Sequence, residues 1–182
     1  LPQVMAGLGV SYLRQHQPVK AVPSLEKAAI RRPNDVDVLN NLGSAYLSTN
    51  EPVKALERFQ KVTELKPSIY EPWYNIGNIC LKQGEFEKAI AAYQKASHIK
   101  PDDAFVFNNL GAAHEGIKQN DQAAGAFAQA AALRPDNKTF NKNAGFAYLR
   151  LHNDPKAVGY LEKSYASAPG DTDVAVSPAD LY

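Results

Sequence analysis

Apolar residues along the chain recur every three or four positions. In "EPWYNIGNICLKQ", from Glu71, and in "FEKAIAAYQKASHIK", from Phe86, this spacing predicts amphipathic helices rather than strands. Short polar stretches such as "STNE", "QGE" and "KQND" separate one helical pattern from the next and predict turns. The pattern then returns. "AGLG", "NNLG", "YNIG", "NNLG" and "KNAG" end at Gly9, Gly43, Gly77, Gly111 and Gly145, a constant step of 34 residues. A fixed period of this size marks a repeat architecture.

Frames of 34 residues beginning at Pro2, Val36, Tyr70, Ala104 and Lys138 bring further columns into register. Frame position 8 is glycine in all five. Position 20 is Ala21, Ala55, Ala89, Ala123 and Ala157. Position 32 is Pro33, Pro67, Pro101, Pro135 and Pro169. Position 24 is always large and apolar: Leu25, Phe59, Tyr93, Phe127 and Leu161. Fifteen identities without an insertion exclude coincidence. The physical reading is a helical hairpin per frame. Glycine and alanine let its helices approach, large residues at positions 4, 7, 11 and 24 fill the contact, and proline ends the second helix. One hairpin cannot bury its own apolar face, so neighbouring hairpins stack to make the core.

These columns resemble the tetratricopeptide repeat (TPR), with its W-x2-L-G-x2-Y, A-x3-F and P signature. The third frame is nearest, with Trp73, Ile76, Gly77, Ala89, Tyr93 and Pro101. It departs at position 11, where Cys80 replaces tyrosine, as His114 does in the fourth; Tyr12, Tyr46 and Tyr148 conform. The resemblance covers residues 2 to 171. It implies an all-α solenoid of five helix-turn-helix repeats in a right-handed superhelix, first helices lining a concave groove and second helices forming the back. The expected units are 2–35, 36–69, 70–103, 104–137 and 138–171, followed by a tail or partial cap at 172–182. In that tail, Val174, Val176 and Leu181 are expected to cover the apolar edge around Ala157, Leu161 and Tyr165, or the tail serves as a surrogate ligand for a neighbouring molecule. Pro23, inside the second predicted helix, is expected to kink it.

Composition adds constraints. The net charge of +1 argues against nucleic acid or an anionic membrane as the main partner. No apolar run approaches the roughly 18 residues of a membrane span, and no signal peptide is visible. The chain opens "LPQVMAGLGV" inside a repeat, without an initiator methionine, and is read as a piece of a longer protein. The first and last frames are the basic ones, at about +3 and +2, which biases an acidic partner towards the ends.

Chemistry is not written into the chain. His16, His98, His114 and His152 have no metal-ligand spacing, and Cys80 has no clustered histidine. No phosphate loop or nucleophile motif is present. The chain is therefore expected not to be an enzyme and to hold neither metal nor cofactor.

The candidate site is a binding surface. Frame position 6 is Asn41, Asn75, Asn109 and Asn143, broken only by Gly7. Asparagine is a poor helix former and fills no core, so a column of it points to hydrogen bonding with a partner backbone. In the TPR arrangement this column faces the groove. Other groove positions contribute Tyr74, Asn78, Lys82, Phe105, Lys142, Phe146 and Arg150. Tyr74 and Phe105, with Asn75 and Asn109, are expected to form an apolar pocket framed by amides. The co-chaperone carboxylate clamp is excluded. Asn78 and Asn109 match its amides, but Tyr74, Thr139 and Asn143 stand where its cations belong. The asparagine row is similar to the ladder in the TPR arm of O-linked N-acetylglucosamine transferases. The expected function is a protein-interaction scaffold binding a partner segment in the concave groove. The alternatives are the substrate-recruiting arm of a larger enzyme, such as a glycosyltransferase, and a scaffold that self-associates through uncapped ends.

Overall fold

In a computed structural model the described residues are 1–167. They form ten helices and no strand: α1 (Pro2–Arg14), α2 (Pro18–Arg31), α3 (Val36–Ser48), α4 (Pro52–Leu65), α5 (Tyr70–Lys82), α6 (Phe86–Ile99), α7 (Ala104–Gly116), α8 (Asn120–Leu133), α9 (Lys138–Arg150) and α10 (Asp154–Ala166). Two compact units are distinguished, Leu1–Ile79 and a second beginning at Cys80, so the division falls inside α5. The expected cap by Val174, Val176 and Leu181, and its surrogate-ligand alternative, lie outside the described residues.

One turn is used five times between an odd helix and the even helix that follows. Its residue at frame position 15 is left-handed in every case: His16, Asn50, Gly84, Lys118 and His152, with φ of 55, 61, 74, 58 and 53°. The next residue returns its amide hydrogen to a carbonyl five positions back, as from Gln17 to Tyr12 (2.9 Å), Glu51 to Tyr46 (2.8 Å) and Gln119 to His114 (3.0 Å). This is the helix-ending bond of a Schellman turn. It satisfies carbonyls at the end of the odd helix and aims the chain back along it. Two of the four histidines are thus turn residues.

Helices α3, α7 and α9 are started by a side chain at frame position 34. Asp35 accepts hydrogen bonds from the Asp37 and Val38 amides, Asp103 from Phe105, and Asn137 from Phe140. Helices α2 and α4 have no side-chain cap and begin with proline instead, while α10 has both, Asn153 accepting from the Lys156 amide ahead of Pro155. Helix α2 runs unbroken from Pro18 to Arg31 with Pro23 inside it.

Packing centres on glycine at position 8. A Cβ built on Gly9 would come within 2.5 Å of Leu25; on Gly43, 2.7 Å from Phe59; on Gly111, 2.7 Å from Phe127; on Gly145, 2.6 Å from Leu161. The large residue at position 24 of the even helix therefore lies directly on the backbone of its odd partner. Ala21, Ala55 and Ala157, at position 20, are completely buried alongside. Gly125 and Gly159 differ, since a methyl group added at either would meet nothing within 4 Å.

These environments predict opposite responses to similar substitutions. Gly111→Ala should lower stability by about 1–3 kcal/mol, because Phe127 cannot withdraw without opening the core. Gly125→Ala should raise it by up to about 1 kcal/mol through helix propensity. Lys118→Gly should raise it by roughly 0.5–1 kcal/mol by relieving a left-handed side chain. Denaturant midpoints of the three variants measure all this; a neutral Gly111→Ala would contradict the packing described.

Candidate functional site

The asparagine column does not present four equivalent free amides. Asn41 turns its Nδ2 back along its own helix and donates to the Asp37 carbonyl at 2.8 Å. Asn143 donates through Nδ2 to Oδ1 of Asn108, on the previous odd helix, at 2.7 Å. Asn108 in turn donates to Oδ1 of Asn109 at 3.3 Å. One of the two N–H donors of Asn41 and of Asn143 is thus engaged within the protein, and each residue keeps a second N–H and its amide oxygen. The relay from Asn143 through Asn108 to Asn109 ties α9 to α7.

The other expected site residues separate by unit. Asn41, Tyr74, Asn75 and Asn78 belong to the first; Lys82, Phe105, Asn109, Lys142, Asn143 and Phe146 belong to the second. Tyr74 stacks on Tyr70, with ring centroids 5.7 Å apart. Phe105 meets Phe140 edge-on at 5.3 Å, while the Arg134 guanidinium lies 5.0 Å from its ring. Each aromatic of the expected Tyr74–Phe105 pocket therefore has a ring partner within its own unit. Phe105 remains 44% exposed. Lys82 is exposed and Lys142 half-buried, and Lys142 has no ion-pair partner among the described residues.

In the second unit α7, α8 and α9 enclose a cavity of about 180 Å³ lined by Ala112, Glu115, Phe127, Asn143, Phe146 and Arg150. Phe127, the residue that covers Gly111, forms part of its wall. Glu115 and Arg150 pair across it, from α7 to α9. Ala112 shares frame position 9 with Asn78 and Phe146, and Glu115 stands at position 12, where the other four frames have leucine; neither was singled out in the sequence. A first-unit cavity of about 330 Å³ is lined by residues that include Glu26, Ile30, Pro33, Leu42, Tyr46 and Arg58. There the Tyr46 hydroxyl donates to Glu26 at 2.6 Å, and the Lys54 ammonium lies 5.2 Å from the Tyr46 ring. Burial, followed by that bond to a carboxylate, raises the Tyr46 pKa well above the usual phenol value.

The tyrosine slot accepts its two replacements by different means. Buried Cys80 packs as a small apolar group, and burial raises its thiol pKa, with Glu85 adding to the effect. His114, also buried, hydrogen-bonds through Nδ1 to Oε1 of Gln119 at 2.7 Å. A further polar residue was not marked by the repeat pattern. Asn141, 1% exposed, stands at frame position 4 where Trp73 stands in the third frame. Both reach the carbonyl of the preceding frame's proline: Trp73 Nε1 donates to Pro67 at 2.9 Å and Asn141 Nδ2 to Pro135 at 2.7 Å. The signal was available as a polar residue in an otherwise apolar column. Among the described residues no group of histidine, cysteine and carboxylate side chains is arranged to hold a metal ion, and no helix is long and apolar enough to cross a membrane.

Comparison with known proteins gives a uniform result. A family model described as "TPR repeat" matches residues 77–118, and one described as "Tetratricopeptide repeat" matches residues 7–68 and 109–172, together well over half of the chain. Among solved structures, MamA 41-end from Desulfovibrio magneticus RS-1 superposes with a TM-score of 0.83 at 23% identity, over 91% of this chain and 94% of that one. A crystal structure of MamA protein gives 0.85 at 23% identity over 91% of both chains. MamA AMB-1 gives 0.84 at 21% identity over 97% of both. At these identities the likeness carries the fold. No curated protein sequence matches significantly.

The Tyr46–Glu26 bond carries its own pH signature. A pKa raised by folding means that the stabilisation is complete below the unfolded phenol pKa, near 10, and is lost as pH climbs beyond it. Wild type should exceed Tyr46→Phe by about 1–3 kcal/mol at pH 8, as expected for a hydrogen bond to a charged acceptor. That gap should narrow above about pH 10. Denaturant titrations at pH 8 and pH 11 test this, and a gap that does not change with pH would contradict it.

Proposed function

The chain belongs to the tetratricopeptide repeat family, and from that premise we propose that it is a protein-interaction scaffold whose odd-numbered helices present a groove to an extended segment of a partner protein. The observation that carries the reading is the amide relay of Asn143, Asn108 and Asn109, beside the cavity under Phe146. Asparagine at these positions costs helix propensity and leaves polar groups facing outward, which packing alone does not require. Because the relay holds Nδ2 of Asn143, its oxygen is left to receive N–H groups from a partner backbone. Asn41 is set in the same sense by its bond to Asp37.

The residues assigned to partner binding are Asn41, Tyr74, Asn75 and Asn78 in the first unit, and Lys82, Phe105, Asn109, Lys142, Asn143 and Phe146 in the second. Exposed Phe105, with Arg134 over its ring, supplies an apolar anchor of the kind that dominates binding energy. Division into the five frames beginning at residues 2, 36, 70, 104 and 138 is part of this proposal, as is a binding rather than catalytic role. The chain serving as the recruiting arm of a larger enzyme uses the same surface.

Self-association is favoured by a separate observation. Val4 and Leu8 of α1 and Ile30 of α2 are 59%, 41% and 76% exposed. An exposed apolar edge of this kind suits contact between copies. Light scattering should then show mass rising with concentration, and Val4→Glu with Leu8→Glu should abolish the rise; a mass independent of concentration would remove this reading.

The groove is tested with a displayed library of random extended peptides. For peptides selected on wild type, Asn109→Ala combined with Asn143→Ala should weaken binding by about 1–3 kcal/mol in total, since partner backbone groups are left unpaired. Gln122→Ala, on the exposed surface of α8, should leave it unchanged. Loss on the α8 change with none on the asparagine changes would show that binding occurs elsewhere.

A further inference from the structure

The bond from Tyr46 to Glu26 joins two neighbouring frames, and the repeat shows where else it can form. Tyr46 stands at position 11 of the second frame and Glu26 at position 25 of the first. Position 11 reads Tyr12, Tyr46, Cys80, His114 and Tyr148; position 25 reads Glu26, Gln60, Gln94, Ala128 and Glu162. No later pair of consecutive frames has both the glutamate and the tyrosine. A glutamate therefore remains on the last described helix, Glu162 on α10, and a tyrosine on the first, Tyr12 on α1. Among the described residues the Tyr12 hydroxyl has no hydrogen-bond partner, and exposed Glu162 has neither a hydrogen bond nor an ion pair. Lys20 lies 5.9 Å from the Tyr12 ring, as its counterpart Lys54 lies 5.2 Å from the Tyr46 ring.

The apolar residues around these two agree. Even helices pack on the odd helices that follow, α2 on α3, α6 on α7 and α8 on α9. On α3, Val38 and Leu42 are 4% and 1% exposed, whereas their counterparts on α1 are the exposed Val4 and Leu8. At position 28, α10 carries Tyr165, 52% exposed, where the inner frames carry small residues: Thr63, Ser97 and Ala131. Positions 28 and 4 of consecutive frames line one cavity, as Ala29 and Leu39 do. The residue at position 4 of the first frame is Met5, whose flexible thioether adapts to an aromatic ring.

We infer that the α10 edge of one copy of this chain receives the α1 edge of a second copy as its next frame, the Tyr12 hydroxyl of one donating to the Glu162 carboxylate of the other. The inference rests on the self-association reading above and adds which surface meets the exposed edge. Val4, Met5 and Leu8 pack against Tyr165 and supply the apolar burial. The tyrosine–glutamate bond fixes the register, and Lys20 brings a cation to the carboxylate. The contact is heterologous, since each copy offers one face and receives with another, so growth does not stop at two copies.

The test uses the full chain in two edge variants. Val4→Glu with Leu8→Glu blocks α1, and Glu162→Arg with Tyr165→Asp blocks α10. All four positions are exposed, so the melting curves of dilute protein should stay in place. By light scattering each variant should remain a monomer where wild type grows past a dimer, and an equal mixture of the two should form a dimer and stop. Tyr12→Phe should raise the concentration for half-assembly about tenfold, as loss of one hydrogen bond to a charged group does. Should an edge variant unfold, Tyr12→Phe, which removes a single oxygen, decides alone. An α10 variant that assembles like wild type, or a Tyr12→Phe without effect, would overturn the head-to-tail contact and leave self-association through α1 standing. Wild type monomeric at every concentration would overturn both. Assembly appearing only after removal of residues 172–182 would also overturn it, giving the α10 edge to the chain's own tail.

Discussion

Contact between a glycine on α1, α3, α7 and α9 and a large apolar side chain on the helix that follows each governs the rest of this structure. The position-24 residue lies where a Cβ would be at positions 9, 43, 111 and 145, within 2.5 to 2.7 Å of the nearest side-chain atom. No other residue type leaves that space. Because the contact is to backbone, it sets how closely two helices approach, and so how much of each apolar stripe is removed from water. Leu25 and Phe59 are wholly buried as a result. The partner varies from leucine to phenylalanine while the glycine does not, because the glycine fixes a distance and the partner only fills a volume.

Turns serve that contact. Each must reverse the chain within a few residues and deliver the even helix in register with the odd one, and all five do so with one left-handed residue and one bond back to frame position 11. Non-glycine residues hold the left-handed conformation at four of the five turns, which disfavours them locally. The packing of the hairpin outweighs that penalty. It also explains the histidines at 16 and 152 without any appeal to chemistry.

What remains for function is the surface that the packing does not use. On it, polar side chains interact across helices: Asn143 with Asn108, and Glu115 with Arg150. Part of this surface is internally satisfied. A free amide both donates and accepts. The Asn143 amide has one N–H engaged in this way and keeps a second N–H and its oxygen. Asn141 differs from the asparagines at frame position 6, since its Nδ2 donates to both the Pro135 and Asn137 carbonyls and supports the fold.

Helices, turns, the period of 34 and family membership were legible in the sequence, because each depends on residues close along the chain and is written five times over. The asparagines of frame position 6 were legible as a column. Their partners were not. Whether Asn143 donates to Asn108, or Glu115 faces Arg150, depends on side-chain rotamers meeting between different helices, about 35 residues apart in sequence, and periodicity carries no term for that. Asn141 and Trp73 make the point in one column: different residues reach the same proline carbonyl, for a reason visible only once the preceding turn is folded beside them. By itself the sequence determined the backbone and its spacing, since these follow from local periodicity and from glycine's lack of a side chain. The tertiary structure alone decided which polar groups were consumed inside the protein and which were left on its surface.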